Sequence, residues 1–403
     1  MIAAMIPVAQ PWIGEREADA ARRVLLSGWV TQGPEVAAFE AGFAGFVGAP
    51  YACAVSSGTT ALHLALLAVG VVPGDEVVTV SHSFIATANV IRYCGATPVF
   101  VDIDPVSYNM NPALVDAAIG PRTRAILCVH QVGMPCDLAS LRAIADRRGI
   151  ALVEDAACAV GSEVESARGW ERIGRPHGRV ACFSFHPRKL LTTGDGGMIT
   201  TADPDVDQRL RLLRQHGMTL SDRARHAAAT VAVESYAVVG YNYRLTDIQA
   251  AIGREQLARL PEALERRRAL AARYTEQLTG VPGLVLPIEP VWGRSNVQSY
   301  CVRLPDACDQ RQVMQQLLDE GISTRRGVMC AHREPAYAHE PWTCVPNTVR
   351  CPCGADGCRR LSASETAQDR TVLLPLYHDL TDDDQRRVVT ALRRACIAAH
   401  ATV

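Results

Sequence analysis

Short apolar runs alternate with helical segments between residue 51 and about residue 200, and this alternation restricts the possible folds more than any other feature. The runs are YACAV (51–55), VVTV (77–80), TPVFVD (97–102), RAILCV (124–129), IALVE (150–154), residues 179–185 and MIT (198–200). Helical stretches separate several of them, such as LASLRAIADRR at 138–148. A strand covered on both faces reads as a continuous apolar run, and strands joined through helices run parallel. The pattern predicts an α/β domain built on a mainly parallel sheet. Past residue 255 the texture changes. QLARLPEALERRRALAARYTEQL (256–278) reads as a long amphipathic helix, and 309–320 as another, closed by Gly321. The last helix starts at Thr381, a good N-cap ahead of three aspartates. The expected division is a large domain over 1–255 and a smaller α+β domain over 256–403.

The 41 Lys and Arg nearly cancel the 42 Asp and Glu, for a net charge of −1. Nucleic-acid binding calls for a basic excess or stripe, so none is expected. No apolar run reaches the roughly 18 residues of a membrane helix. The opening MIAAMIPVAQPWIG lacks a basic region and a small-residue cleavage site, so no secretory signal is expected. These features predict a soluble, cytoplasmic protein. The 14 cysteines suit a reducing compartment; most sit singly in apolar stretches, as Cys53, Cys94, Cys128 and Cys182 do.

The chain contains a single lysine, Lys189; every other Lys/Arg position is arginine. GC-rich coding bias would produce this wherever only a surface charge is needed. Arginine cannot replace lysine where a primary amine must lose a proton and form an imine. Lys189 lies in FSFHPRKLLTTGDGG (183–197), after a strand ending near Ser184 and before glycines that permit close backbone approach. Glu154-Asp155 closes an earlier strand, where parallel sheets bind ligands. A carboxylate buried there needs a cation, either a structural partner or a protonated pyridine nitrogen. Ser57-Gly58-Thr59-Thr60 forms a small-residue turn before a helix, which is either a phosphate cradle or an ordinary cap. Taken together, a lysine, an aspartate and a phosphate turn are what pyridoxal-phosphate (PLP) chemistry requires.

With these motifs the chain resembles the DegT/DnrJ/StrS-type PLP-dependent sugar aminotransferases, of aspartate-aminotransferase (type I) fold. The resemblance runs through SGWVTQGPEVAAFE (27–40), SSGTTALHLAL (56–66), SHSFIATANVI (81–91), VDIDPVSYNMNP (101–112) and HQVGMPCD (130–137). It continues through EDAACAVGS (154–162), residues 183–201, GYNYRLTDIQAAIGREQL (240–257), AHREPAY (331–337) and LLPLYHDLTDDDQ (373–385). It implies that Lys189 is the Schiff-base lysine and proton shuttle, and that Asp155 holds the pyridine nitrogen. Phe84 corresponds to the aromatic stacked on the cofactor ring. Gly58, Thr59, Thr60 and Ser184 correspond to the phosphate cradle. Asn242 corresponds to an asparagine reaching the phosphate from the neighbouring subunit, and Arg244 to a partner-chain arginine near the substrate. The active site would then be complete only in a homodimer. His332 and Tyr337 fall in a stretch bordering the substrate pocket, as do Trp29 and Thr31. The implied reaction takes an amine from an amino acid, usually glutamate, to the ketone of a nucleotide-linked keto-deoxysugar, in amino-sugar biosynthesis. A keto-cyclitol acceptor is the alternative. Related dehydratases carry His in place of the lysine, so Lys189 points away from that chemistry, and the Asp155, Ser184 and Lys189 set points away from a non-catalytic regulatory protein.

Two features depart from the family pattern. Cys158 stands where the family usually has a glutamine near the cofactor's ring hydroxyl, and a thiol is a weak donor. The insert CVPNTVRCPCGADGC (344–358) carries Cys344, Cys351, Cys353 and Cys358. Its C-x6-C-x-C-x4-C spacing differs from the paired C-x2-C knuckles of zinc sites. On spacing alone no metal is expected, and the insert reads as reduced thiols or an oxidation-formed disulfide. For the first departure, Cys158→Gln is expected to keep both cofactor and activity. Steady-state turnover beside the bound-PLP spectrum checks this, and a dead variant that still holds PLP contradicts it.

Overall fold

The computed structural model describes residues 5–220, 230–231, 233–348, 350–351, 353 and 358–400. Within the Cys-rich insert, Val349, Pro352 and residues 354–357 lie outside the described residues. The chain begins with α1 (Glu15–Ser27), α2 (Pro34–Val47), β1 (Tyr51–Val55), α3 (Gly58–Ala68), β2 (Glu76–Val80), α4 (Ala86–Tyr93) and β3 (Thr97–Val101). Next come α5 (Pro112–Val115), β4 (Thr123–Val129), α6 (Leu138–Arg148), β5 (Ala151–Asp155) and a hairpin of β6 (Glu163–Ser166) and β7 (Gly169–Arg172). β8 (Val180–Ser184), β9 (Gly197–Thr201) and α7 (Pro204–Leu213) follow.

Seven of these strands form one sheet in the order β1-β9-β8-β5-β4-β2-β3. Each of the apolar runs is a strand of it. β9 alone is antiparallel to both neighbours, β1 and β8. The segment 185–196 between β8 and β9 contains no helix, so it makes no crossover and the chain folds straight back. The other strands share one direction, which brings the carboxyl ends of β1, β2, β4, β5 and β8 to one edge. Apolar side chains pack both faces. Phe43, Val78, Ile126 and Phe183 lie in one layer, and Leu64, Val77, Leu127 and Val153 in the other.

β10 (Gly293–Arg294) pairs with β6 of the hairpin, and a second core surrounds a small antiparallel sheet in which β11 (Tyr300–Arg303) and β12 (Arg325–Arg326) both pair with β13 (Thr371–Leu374). A long helix, Asp247–Leu278, belongs to both cores. Ala250, Leu260 and Leu264 pack into the first, whereas Leu270, Tyr274 and Leu278 pack into the second. A boundary at residue 255 therefore falls inside one continuous helix. The helices Gln310–Asp319 and Asp382–His400 flank the small sheet. Among the described residues, no helix is long and apolar enough to cross a membrane.

The start of the long helix ties the chain together. Thr246 caps it by accepting the Gln249 N–H at 3.2 Å, which leaves the Asp247 carboxylate available for another task. α2 begins at Gly33 and Pro34, and its N-cap has no side chain to offer. Asp247 serves instead, accepting the N–H groups of Gly33 (2.7 Å), Val36 (3.0 Å) and Glu35 (3.1 Å). A buried carboxylate satisfying several amides at a helix N-terminus combines capping with dipole stabilisation. Asp247→Ala is expected to lower stability by about 1–3 kcal/mol, and Asp247→Asn by less. The shift in urea midpoint measures both.

Candidate active site

Asp155 is the last residue of β5, and neighbours on both sides fix its backbone. The His130 N–H donates to its carbonyl at 3.1 Å, and the Ala156 N–H donates to the Cys182 carbonyl at 2.9 Å. The side chain is buried at the carboxyl edge. Oδ2 accepts the Thr87 hydroxyl at 2.8 Å, and Oδ1 accepts the Ala157 N–H at 3.2 Å. Burial pushes the carboxyl above the ordinary carboxylate range, opposed by these two donors and by the charge of Lys189. A carboxylate with two oxygens can accept more than these bonds, so it has room for one more donor, ideally a cationic N–H. Glu154, one residue earlier, points to the opposite face. There it lies 3.1 Å from His130 Nε2 and accepts the Gly178 N–H at 2.8 Å.

Thr87 comes from the first turn of α4, and its N–H donates to the carbonyl of Phe84. The turn that braces Asp155 thus also carries Phe84, whose ring is 60% exposed in the single chain. A large aromatic left in the open at a ligand-binding edge is suited to stacking on a planar group.

Lys189 lies in the loop between β8 and β9. Its Nζ is 3.0 Å from the Sγ of Cys158, which sits three residues beyond Asp155. Cys158 therefore contacts the lysine amine, which its place in the sequence did not reveal. The loop is clamped from behind by Gln298, a residue that sequence reasoning missed. Its Oε1 accepts the Leu190 N–H at 3.2 Å, and its Nε2 donates to the Arg188 carbonyl at 2.6 Å. The backbone is thus held on both sides of Lys189. Asn296 donates to the carbonyls of Cys158 and Val160, each at 2.9 Å. Asparagine and glutamine in an irregular segment carry no distinctive spacing, so the sequence offered no signal for either.

The turn at α3 completes the edge. Ser57 accepts the Thr60 N–H at 3.1 Å, and the first intrahelical bond runs from the Ala61 N–H to the Ser57 carbonyl. The N–H groups of Gly58 and Thr59 precede that bond and face outward from the helix start, where an anion binds. Gly58 is pressed against β8. A Cβ on it would lie 2.7 Å from Ser184 Cβ, so only glycine lets the turn reach Ser184.

Other expected residues fall elsewhere. Trp29 and Thr31 lie between α1 and α2, with Trp29 Nε1 donating to the Gln32 carbonyl and the Thr31 carbonyl accepting from Asp247 N–H. Asn242 is exposed and accepts from Arg244 Nε at 3.1 Å, while Arg244 bridges to Val55 beside the α3 turn. His332 and Tyr337, expected along the substrate pocket, have buried side chains with their polar atoms engaged. The His332 backbone N–H donates to Ser81 Oγ, the Ser81 hydroxyl donates to Nδ1 at 2.6 Å, and Nε2 donates to Glu365 Oε1 at 2.9 Å. Burial holds this imidazole below its ordinary pKa range, with Glu365 opposing. The Tyr337 hydroxyl donates to Asn89 Oδ1 at 3.0 Å. Tyr337 packs with Ala88, Phe100 and Leu361, and the His332 ring lies 5.3 Å from that of Trp342.

If Gln298 positions Lys189, Gln298→Ala should lower kcat by about 10- to 100-fold while bound PLP and KM change little. The bound-cofactor spectrum and steady-state kinetics read these separately, and equal losses in both would indicate only a structural role.

Comparison with known proteins places this geometry. A model of the DegT/DnrJ/EryC1/StrS aminotransferase family matches residues 11–393. The aminotransferase TlmJ from Streptoalloteichus hindustanus is 36% identical over 99% of this chain and 100% of its own, with a TM-score of 0.86. DesV from S. venezuelae is 37% identical over 94% and 93%, at 0.81. The sugar aminotransferase CalS13 from Micromonospora echinospora is 32% identical over 97% and 100%, at 0.83.

Proposed function

The chain belongs to the DegT/DnrJ/EryC1/StrS aminotransferase family, and we propose that it moves the amine of an amino acid, glutamate by preference, onto the keto group of a nucleotide-linked deoxysugar. Aminotransferases of this family use PLP, and the residues at the carboxyl edge fit that group. Asp155 is a buried carboxylate with spare accepting capacity for a pyridinium N–H. The amides of Gly58 and Thr59, with the hydroxyl of Ser184, offer an anion cradle pressed onto the same edge, and Thr60 shapes it by donating its hydroxyl to the Ser57 carbonyl at 2.9 Å. Lys189 presents the primary amine, and Phe84 an open ring face. When bound, PLP supplies an electron sink that lets the bond between the α-carbon and its hydrogen break.

The chain's own residues do the rest. Asp155 keeps the ring nitrogen protonated through its charge. Lys189 Nζ would take the proton from the donor's α-carbon and, in the second half-reaction, give one to the acceptor carbon that bore the ketone. Gln298 keeps that amine in range. The convergence of Asp155, Lys189 and the Gly58 turn on one sheet edge carries this reading.

The working unit in this proposal is a homodimer in a reducing cytoplasm. Exposed apolar side chains support it. Val231, Val233 and Val239 are 95, 86 and 92% exposed, and Leu26 is 73% exposed. Val231, Val233 and Val239 fall within nine residues of chain, and exposed apolar groups so close in sequence favour an interaction surface. In the dimer, Asn242 and Arg244 would reach the partner's phosphate and substrate, while Trp29 and Thr31 would border the sugar.

Lys189→Arg tests the assignment. The variant should stay folded and dimeric and hold PLP without a covalent bond. Its aminotransfer should fall by about 100- to 10,000-fold or more. Borohydride reduction followed by peptide mass analysis should find the adduct on Lys189 in the wild type and none in the variant. Wild-type protein that stays colourless with added PLP would sink the reading. A screen of keto-sugar nucleotides and keto-cyclitols against glutamate, glutamine and alanine identifies the substrates.

A further inference from the structure

The Cys-rich insert, whose spacing predicted no metal, converges in space. The sulfurs of Cys344, Cys351, Cys353 and Cys358 all lie within 4.8 Å of one another. Cys344 is 3.2 Å from Cys351 and 3.9 Å from Cys353, and Cys358 is 3.5 Å from each of the same two. Each thiol therefore touches two others in a closed ring. Disulfides would pair the four two by two at about 2.05 Å, which this arrangement does not do. Four thiolates around zinc at about 2.3 Å form a tetrahedron whose sulfur–sulfur edges are about 3.8 Å. The observed separations bracket that edge.

We propose that these four cysteines bind a structural zinc ion, outside the PLP site and independent of the aminotransferase reading. All ligands come from the protein and leave no open position, the mark of a structural rather than a catalytic zinc. The surroundings suit thiolates. The backbone N–H of Cys353 donates to Cys351 Sγ at 3.5 Å, and the Arg360 backbone N–H is directed at the sulfurs of Cys353 and Cys358. Arg350, Arg359 and Arg360 flank the ligands in sequence and supply positive charge for a cluster of net charge −2.

The site also has a mechanical role. Thr343, one residue before the first ligand, extends the β3 edge. Its carbonyl accepts the Phe100 N–H at 2.7 Å, and its N–H donates to the Pro98 carbonyl at 3.1 Å. The Cys358 N–H donates at 2.8 Å to Glu365 Oε1, the oxygen that also meets His332 Nε2. His332 in turn holds Ser81, three residues before Phe84. The zinc thus anchors an insert that would otherwise have little core of its own, and through Glu365 it steadies the wall that carries Phe84.

The test uses untagged full-length holoenzyme purified in reducing buffer. Elemental analysis should find one zinc per chain. Titration with a mercurial thiol reagent should release it, read by a chromogenic chelator, with loss of the four thiols. Cys344→Ser and Cys358→Ser should each lose the zinc while keeping the bound-PLP absorbance, which reports the fold. If either variant fails to accumulate, release from the wild type still decides. Wild-type protein that retains no zinc after dialysis against zinc and gel filtration overturns the proposal. So does an intact mass showing these cysteines joined as disulfides.

Discussion

A carboxylate taken out of water must be compensated by donors or by positive charge, and Asp155 imposes that demand at the carboxyl end of β5. The structure meets it from several directions. Thr87 reaches down from α4, the Ala157 amide turns back, and Lys189 approaches from the next strand connection. None of these alone satisfies both oxygens, and in the proposed function the remaining capacity is for a pyridinium N–H. The supports of Asp155 also position the neighbouring candidates, because the turn holding Thr87 presents Phe84 and the segment after Asp155 presents Cys158 to the lysine.

Precision at the lysine comes from outside the large sheet. Gln298 and Asn296 precede β11 of the small sheet and bond backbone groups on both sides of the active-site edge. Arg267 of the long helix donates to the carbonyls of Val297 and Gln298, at 3.0 and 2.7 Å, and so secures that segment in turn. The helix enters one core and leaves in the other, and its first turn caps α2 through Asp247. A movement of the small sheet would thus be felt at Lys189 through a short series of hydrogen bonds. The smaller region thus helps hold the Lys189 loop, although Asp155, Lys189, Phe84 and the Gly58 turn all belong to the larger one.

The strand runs were legible because burial on both faces leaves little choice of residue, and the single lysine because no other side chain offers a titrating primary amine. Asp155, Ser184 and the Gly58 turn were legible because strand ends and helix starts are local features. The reversal of β9 was not legible, since a short apolar run has no direction. Neither was Gln298, whose role depends on a contact across 108 residues of chain. For His332 and Tyr337 the contacts were not legible either, since Phe100 and Leu361 around Tyr337, and Ser81 and Glu365 around His332, come from distant segments.

The four cysteines show the division best. The sequence by itself determined that they exist, that they cluster within 15 residues of chain (344–358), and that their spacing matches no standard knuckle. It likewise determined the alternation that makes a parallel sheet, and with it the edge where Lys189 and Asp155 meet. Only the tertiary structure decided that the four sulfurs face one point, that Cys158 meets the lysine amine, and that Gln298 clamps its loop. The physical reason is the same in each case. Periodicity and turn chemistry act over a few residues, whereas the meeting of side chains far apart in sequence is set by how the sheet, the long helix and the insert pack together.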